Sequence, residues 1–229
     1  MLKPKKRITK HDLKEDKFVK FTLQAKNYVD ENYQKIVRIA LGVGALIIIL
    51  VFYYYNSHAT DEEANSKLGI AEIEYANGNI QTARDRLIKL VDEYDGTDAA
   101  DKGMFLLANI YYQQKMYENA RNLFGKFVNA YSGSNILLAS GYAGLAACEE
   151  VNANFSAAAG LYEQAAELAP DFPESDNYSY LSAICYKKAG EIEKARVIFE
   201  QLANKPQTSQ REKDAETQLV LLGNKKNAE

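Results

Sequence analysis

Residues Asp101–Ser134 read DKGMFLLANIYYQQKMYENARNLFGKFVNAYSGS. Three more stretches, Ala64–Thr97, Ala139–Phe172 and Asp176–Ser209, align with it over 34 residues without an internal gap. Position 8 is alanine in all four (Ala71, Ala108, Ala146, Ala183), and so is position 20 (Ala83, Ala120, Ala158, Ala195). Position 24 is large and apolar: Leu87, Phe124, Tyr162 and Phe199. Position 27 holds Leu90, Phe127, Ala165 and Leu202. Small residues at 8 and 20 let two antiparallel helices approach closely, and the bulky residue at 24 fills the groove between them. A turn is needed at position 15, where Gly78 and Gly190 stand in the outer segments, Lys115 and Ala153 in the middle ones. The pattern predicts an all-α stack of four helical hairpins over 64–209. Ala215, Leu219 and Leu222 mark one more helix, within 210–229, to cover the open end of the stack.

Ahead of the repeats lies Ile36–Tyr55, IVRIALGVGALIIILVFYYY, with 17 residues from Ile39 onward free of charge, amide or proline. A helix of about 20 apolar residues crosses a hydrocarbon core of roughly 30 Å. The stretch is apolar all round rather than on one stripe, which argues against a buried core helix. It reads as an uncleaved single span, with Ile39, Val43, Ile47, Leu50 and Tyr54 among its lipid-facing anchor residues. Residues 1–38 carry 11 Lys and Arg against 5 Asp and Glu, net +6, and the remainder 17 against 26, net −9. That asymmetry places the N-terminus in the cytoplasm and the repeats across the membrane. Within the arm, 1–35, a basic run at 3–7 precedes Leu13, Phe18, Phe21, Ala25, Tyr28 and Asn32, a weakly amphipathic helix for the inner leaflet or a membrane complex. Residues 56–63 form a juxtamembrane linker.

Few residues invite chemistry. The two histidines, His11 and His58, fall on opposite sides of the span, and no HExxH, GxSxG or Walker-type loop occurs. No enzyme, metal or cofactor is expected. The acidic region after the span argues against nucleic acid as a partner. Cys148 and Cys185 both occupy position 10, where the first two segments carry Ile73 and Ile110. They are expected to be buried free thiols facing the preceding repeat, because equivalent positions lie about 8–10 Å apart and a disulfide needs less than about 7 Å between Cα atoms.

The repeated segments resemble the tetratricopeptide repeat. In that family the first helix of each repeat lines a concave face, with positions 2, 5, 9, 12 and 13 pointing inward. The resemblance implies a partner-binding groove that includes Leu68, Phe105 and Tyr180 at position 5, Asn109 and Ile184 at position 9, Tyr75, Tyr112 and Lys187 at position 12, and Gln113 at position 13. Aromatic and amide groups in a groove suit extended or unfolded polypeptide. The family's Lys/Asn clamp for acidic C-terminal peptides is matched only at Asn109, so that mode is not expected. The layout as a whole, with ALGVGALIIILVFYYYNSH as its span, looks like the YfgM-like ancillary subunits of the bacterial Sec translocon. That resemblance implies an inner-membrane chaperone adaptor. Its partners would be translocon subunits, a periplasmic peptidyl-prolyl isomerase chaperone and exported polypeptides. The alternative is a scaffold of another envelope assembly, such as a secretion apparatus or a link between division machinery and outer membrane.

Overall fold

A computed structural model describes the backbone of residues 10–205 and 210–226, and their side chains except at 10–18, 50, 52–59 and 224–226. The basic run at 3–7 and the connector at 206–209 lie outside the described residues. Among the described residues there are nine helices and no strand. They are α1 Lys10–Ala76, α2 Ile80–Glu93, α3 Asp98–Gln113, α4 Tyr117–Ala130, α5 Asn135–Val151, α6 Phe155–Leu168, α7 Ser175–Lys188, α8 Ile192–Ala203 and α9 Gln210–Lys226. The chain divides into two units, Met1–His58 and Ala59–Glu229.

In the first unit the backbone from Lys10 is helical. Val19–Ile49 is the one helical stretch, among the described residues, long and apolar enough to cross a membrane. Its large side chains, Ile39, Val43 and Ile47 among them, are exposed rather than packed against protein. Residues 56–63, read above as a linker, are helical; they contain neither proline nor glycine to interrupt the helix.

In the second unit the end of α1 pairs with α2, and the pairs α3/α4, α5/α6 and α7/α8 follow. All eight alanines at positions 8 and 20 are fully buried, as are Leu87, Phe124 and Phe199 at position 24 and Leu90, Phe127 and Ala165 at position 27. Each buried Leu or Phe contributes about 1.5–3 kcal/mol of transfer free energy, so the large residues at positions 24 and 27 carry much of each hairpin's packing. Between hairpins, position 10 carries the contact. Ile110 packs with Leu87 and Leu90, Cys148 with Ala120 and Phe124, and Cys185 with Ala158 and Tyr162. The second unit has no hairpin ahead of the first pair, and there Ile73 is 62% exposed and Ile70 43%. At the other end α9 lies on the last pair, with Ala215 and Leu222 buried.

The turn inside each hairpin is the same in all four. The residues at position 15 have positive φ: Gly78 80°, Lys115 62°, Ala153 61° and Gly190 82°. In each, the next residue's N–H bonds back to the carbonyl five residues earlier, as in Asn79 to Glu74 and Met116 to Tyr111. This is the Schellman arrangement, whose left-handed residue is usually glycine. A side chain there costs roughly 1–2 kcal/mol. Lys115→Gly and Ala153→Gly should therefore each raise stability by about 1 kcal/mol in urea denaturation. A lower midpoint for both would refute the strain.

Candidate functional site

The first helices, α3, α5, α7 and the end of α1, present the residues expected in the groove. Leu68 is buried in the core with Leu87 and Leu90, so its side chain serves packing. Phe105 is half-buried against Phe124 and Phe127, with ring centroids 5.9 and 5.3 Å away. Tyr180 leans on Phe199 at 5.8 Å, and the Arg211 guanidinium lies over its ring at 4.9 Å. Ile184 is half-buried beside the last pair's core. Asn109 donates to the Phe105 carbonyl at 2.9 Å.

Positions 12 and 13 form rungs between successive repeats. Gln113 Nε2 donates to Tyr75 Oη at 2.9 Å, joining repeats one and two. Lys188 Nζ donates to Glu150 Oε1 at 2.7 Å, joining repeats three and four. Lys187 Nζ then donates to Gln218 Oε1 on α9 at 2.7 Å. The middle rung is missing. The corresponding positions there are Tyr112 and Val151, an apolar residue 46% exposed, and Tyr112 packs edge-on against Tyr117 at 5.4 Å. Burial pushes the Tyr112 phenol above its ordinary pKa, with smaller contributions from Cys148, Tyr117 and Glu150, so it stays a hydrogen-bond donor. On α5 positions 5 and 9 are only Ala143 and Ala147. They leave room where the neighbouring helices carry Phe105, Asn109, Tyr180 and Ile184. The surface between repeats two and three thus offers aromatic and apolar groups with the fewest internal commitments. The rungs escaped the sequence reading because a pairing between repeats depends on how each hairpin is rotated on the last.

One rung lies deeper. Glu149 is buried, accepts from Asn154 Nδ2 at 2.7 Å, and pairs with the Arg121 guanidinium across the repeat boundary. Burial alone would raise its carboxyl, but the hydrogen bonds from Asn154 and Arg121 and the Arg121 charge outweigh it and hold the carboxyl below its ordinary range. A depressed carboxyl stabilises the fold above its unfolded pKa of about 4.3, and that stabilisation disappears as pH falls through the lower folded value. Acidification from pH 6 to pH 3 should lower the melting temperature of the wild type more than that of Glu149→Gln. Equal slopes would remove Glu149 from the acid response.

Cys148 and Cys185 are both buried and free. Burial, with the nearby Glu149, pushes the Cys148 thiol up to about 11, and burial with Glu150 pushes Cys185 to about 12. Neither is a nucleophile at neutral pH. Among the described residues no three His, Cys, Asp or Glu side chains gather as metal ligands. Of the anchor residues, Ile39, Val43 and Ile47 are exposed on α1; the side chains of Leu50 and Tyr54 lie outside the described residues.

Residues 102–134 and 178–208 match the tetratricopeptide-repeat family model. The two matched stretches fall in the second and fourth hairpins, α3/α4 and α7/α8. Solved tetratricopeptide structures agree with the fold. A putative kinesin light chain from Podosopora anserina, described as nearly identical TPR-like repeats, superposes with TM-score 0.56 at 16% identity, covering 71% of this chain and 86% of that one. BtubC (BKLC) from P. vanneervenii gives 0.50 at 16% identity, over 66% and 68%. No curated protein matches the sequence. The second unit is a TPR-like helical solenoid.

Proposed function

We propose that the chain is a membrane-tethered protein-interaction module, an ancillary subunit and chaperone adaptor at the bacterial Sec translocon. The observation that carries the binding part is the missing middle rung. Val151 is exposed there and Tyr112 half-buried, beside Ala143 and Ala147, on the face that tetratricopeptide folds use for partners. An extended polypeptide gains aromatic contact and hydrogen bonds together at such a surface. The tether rests on the exposed apolar run of α1, and its orientation on the basic arm before it. The translocon assignment rests on the resemblance of the span and layout to YfgM-like subunits. In this reading the span contacts translocon subunits in the inner membrane. The periplasmic repeats hold exported chains or a peptidyl-prolyl isomerase chaperone.

Photocrosslinking in cells tests each part. A photoreactive residue at Val43 should give translocon adducts, and one at Tyr112 should give adducts with exported chains or chaperone. Adducts with another envelope assembly and no translocon band would replace the adaptor with a scaffold. Silence at Tyr112 alone would remove the groove and keep the tether.

A further inference from the structure

A second recess opens away from that groove, between α6 and α8, with α7 as its floor. It has a volume of about 260 Å³. Its origin lies in the sequence. At positions 4 and 7, repeats two and three carry Met104 and Leu107, then Tyr142 and Leu145, which fill the space between successive hairpins. Repeat four carries Ser179 and Ser182 instead, and the recess is what those two truncations leave.

Ala166, Pro170 and Ile198 make part of its wall apolar, and the polar part is mostly serine and carboxylate, with Gln201 and Lys205 beside them. Ser182 is 1% exposed, and its Oγ has no hydrogen-bond partner within the protein. A buried hydroxyl without a partner is costly and marks an absent one. Ser175 Oγ already donates to the Ala166 carbonyl at 3.1 Å, which leaves its oxygen only as an acceptor. Glu163 and Glu167 stand on the wall, Glu163 accepting from Tyr186 Oη at 3.0 Å. The cation at the rim, Lys205, is ion-paired with Asp176. The charged part of the lining is therefore net negative, and the serine oxygens add acceptors to it. Two carboxylates exclude a phosphate or carboxylate ligand. The volume lies just under the roughly 300–1,000 Å³ of small-molecule sites, the size for one inserted side chain.

We propose that this recess receives an arginine side chain of a partner polypeptide. The guanidinium brings five N–H donors and a positive charge to serine oxygens and carboxylates that need both. The inference rests on the reading of the chain as a polypeptide-binding module, but puts a specificity pocket on the opposite face from Tyr112.

The test uses the full chain in detergent, with ¹³C-methyl signals of Ala166 and Ile198 as reporters and N-acetyl-arginine amide as probe. Saturable shifts are expected, at least about tenfold weaker for the neutral isostere N-acetyl-citrulline amide, since a charged hydrogen-bonded group contributes more than one decade of affinity. Ser182→Leu, which restores the residue type of Leu107 and Leu145, should abolish the shifts and raise the melting temperature. Glu163→Gln should weaken binding about tenfold without filling the recess. Equal binding of both probes, or Arg-dependent shifts that persist in Ser182→Leu, would overturn the pocket. Tyr112→Ala separates the two sites: it should leave these shifts intact, and shifts lost there but kept in Ser182→Leu would move arginine recognition to the groove.

Discussion

Replacing Phe127 with alanine should cost about 3–5 kcal/mol, the range for emptying a buried aromatic site. Phe127 is fully buried on α4, stacked on Tyr131 at 4.9 Å and tilted against Phe105 at 5.3 Å. Its other side is closed by the backbone of α5 at Gly141. Three helices from two repeats meet on that ring, so little can collapse into the cavity. Against a typical total of about 5–15 kcal/mol the loss is large. Urea denaturation of the full chain, with amide exchange over α3 to α5, measures it. Val197→Ala, at an exposed site, should stay within about 0.5 kcal/mol and serves as the comparison. A loss at Phe127 no greater than at Val197 would mean that the repeat boundary is not where the stability resides.

The second large effect reverses an ordinary rule. Glycine to alanine inside a helix normally stabilises by about 0.5–1 kcal/mol. Gly125 and Gly160, with nothing within 4 Å of an added Cβ, should follow it. Gly141 and Gly144 on α5 should not. A Cβ at Gly141 falls 2.4 Å from Phe127 Cε1, and one at Gly144 falls 2.5 Å from Phe124 Cζ. Neither ring can swing aside, because both abut Phe105. Overpacking of this kind costs about 1–3 kcal/mol, more than the helix gains. Thermal melts of the four alanine variants should therefore split into two pairs of opposite sign. Gly141→Ala melting above the wild type would show that α4 and α5 can separate freely. Phe127→Leu should partly rescue Gly141→Ala, because the two act on one contact.

The hairpins were legible because alanine recurs at two fixed offsets and nothing but close helix contact requires it there. The role of Phe124 and Phe127 was legible for the same reason. Groove membership was less so. A family template assigns Leu68 and Phe105 by position alone, whereas burial follows from what stands opposite, and opposite Leu68 stand Leu87 and Leu90. The turn at position 15 was foreseeable, but not that Lys115 and Ala153 would take the left-handed conformation without glycine. Ser179, small where Met104 and Tyr142 stand in the two preceding repeats, reads in the sequence only as a departure from the pattern. Only with α6 and α8 in place does it become an opening.

The bare edge at Ile70 and Ile73 carries a mechanical consequence. In a linear array a hairpin is held by its own packing and by its neighbours, and the first one has a neighbour on one side only. Tension entering the stack along α1 arrives at that hairpin before any other. It should be the first to peel, giving up slack while the later repeats keep hold of whatever they have bound.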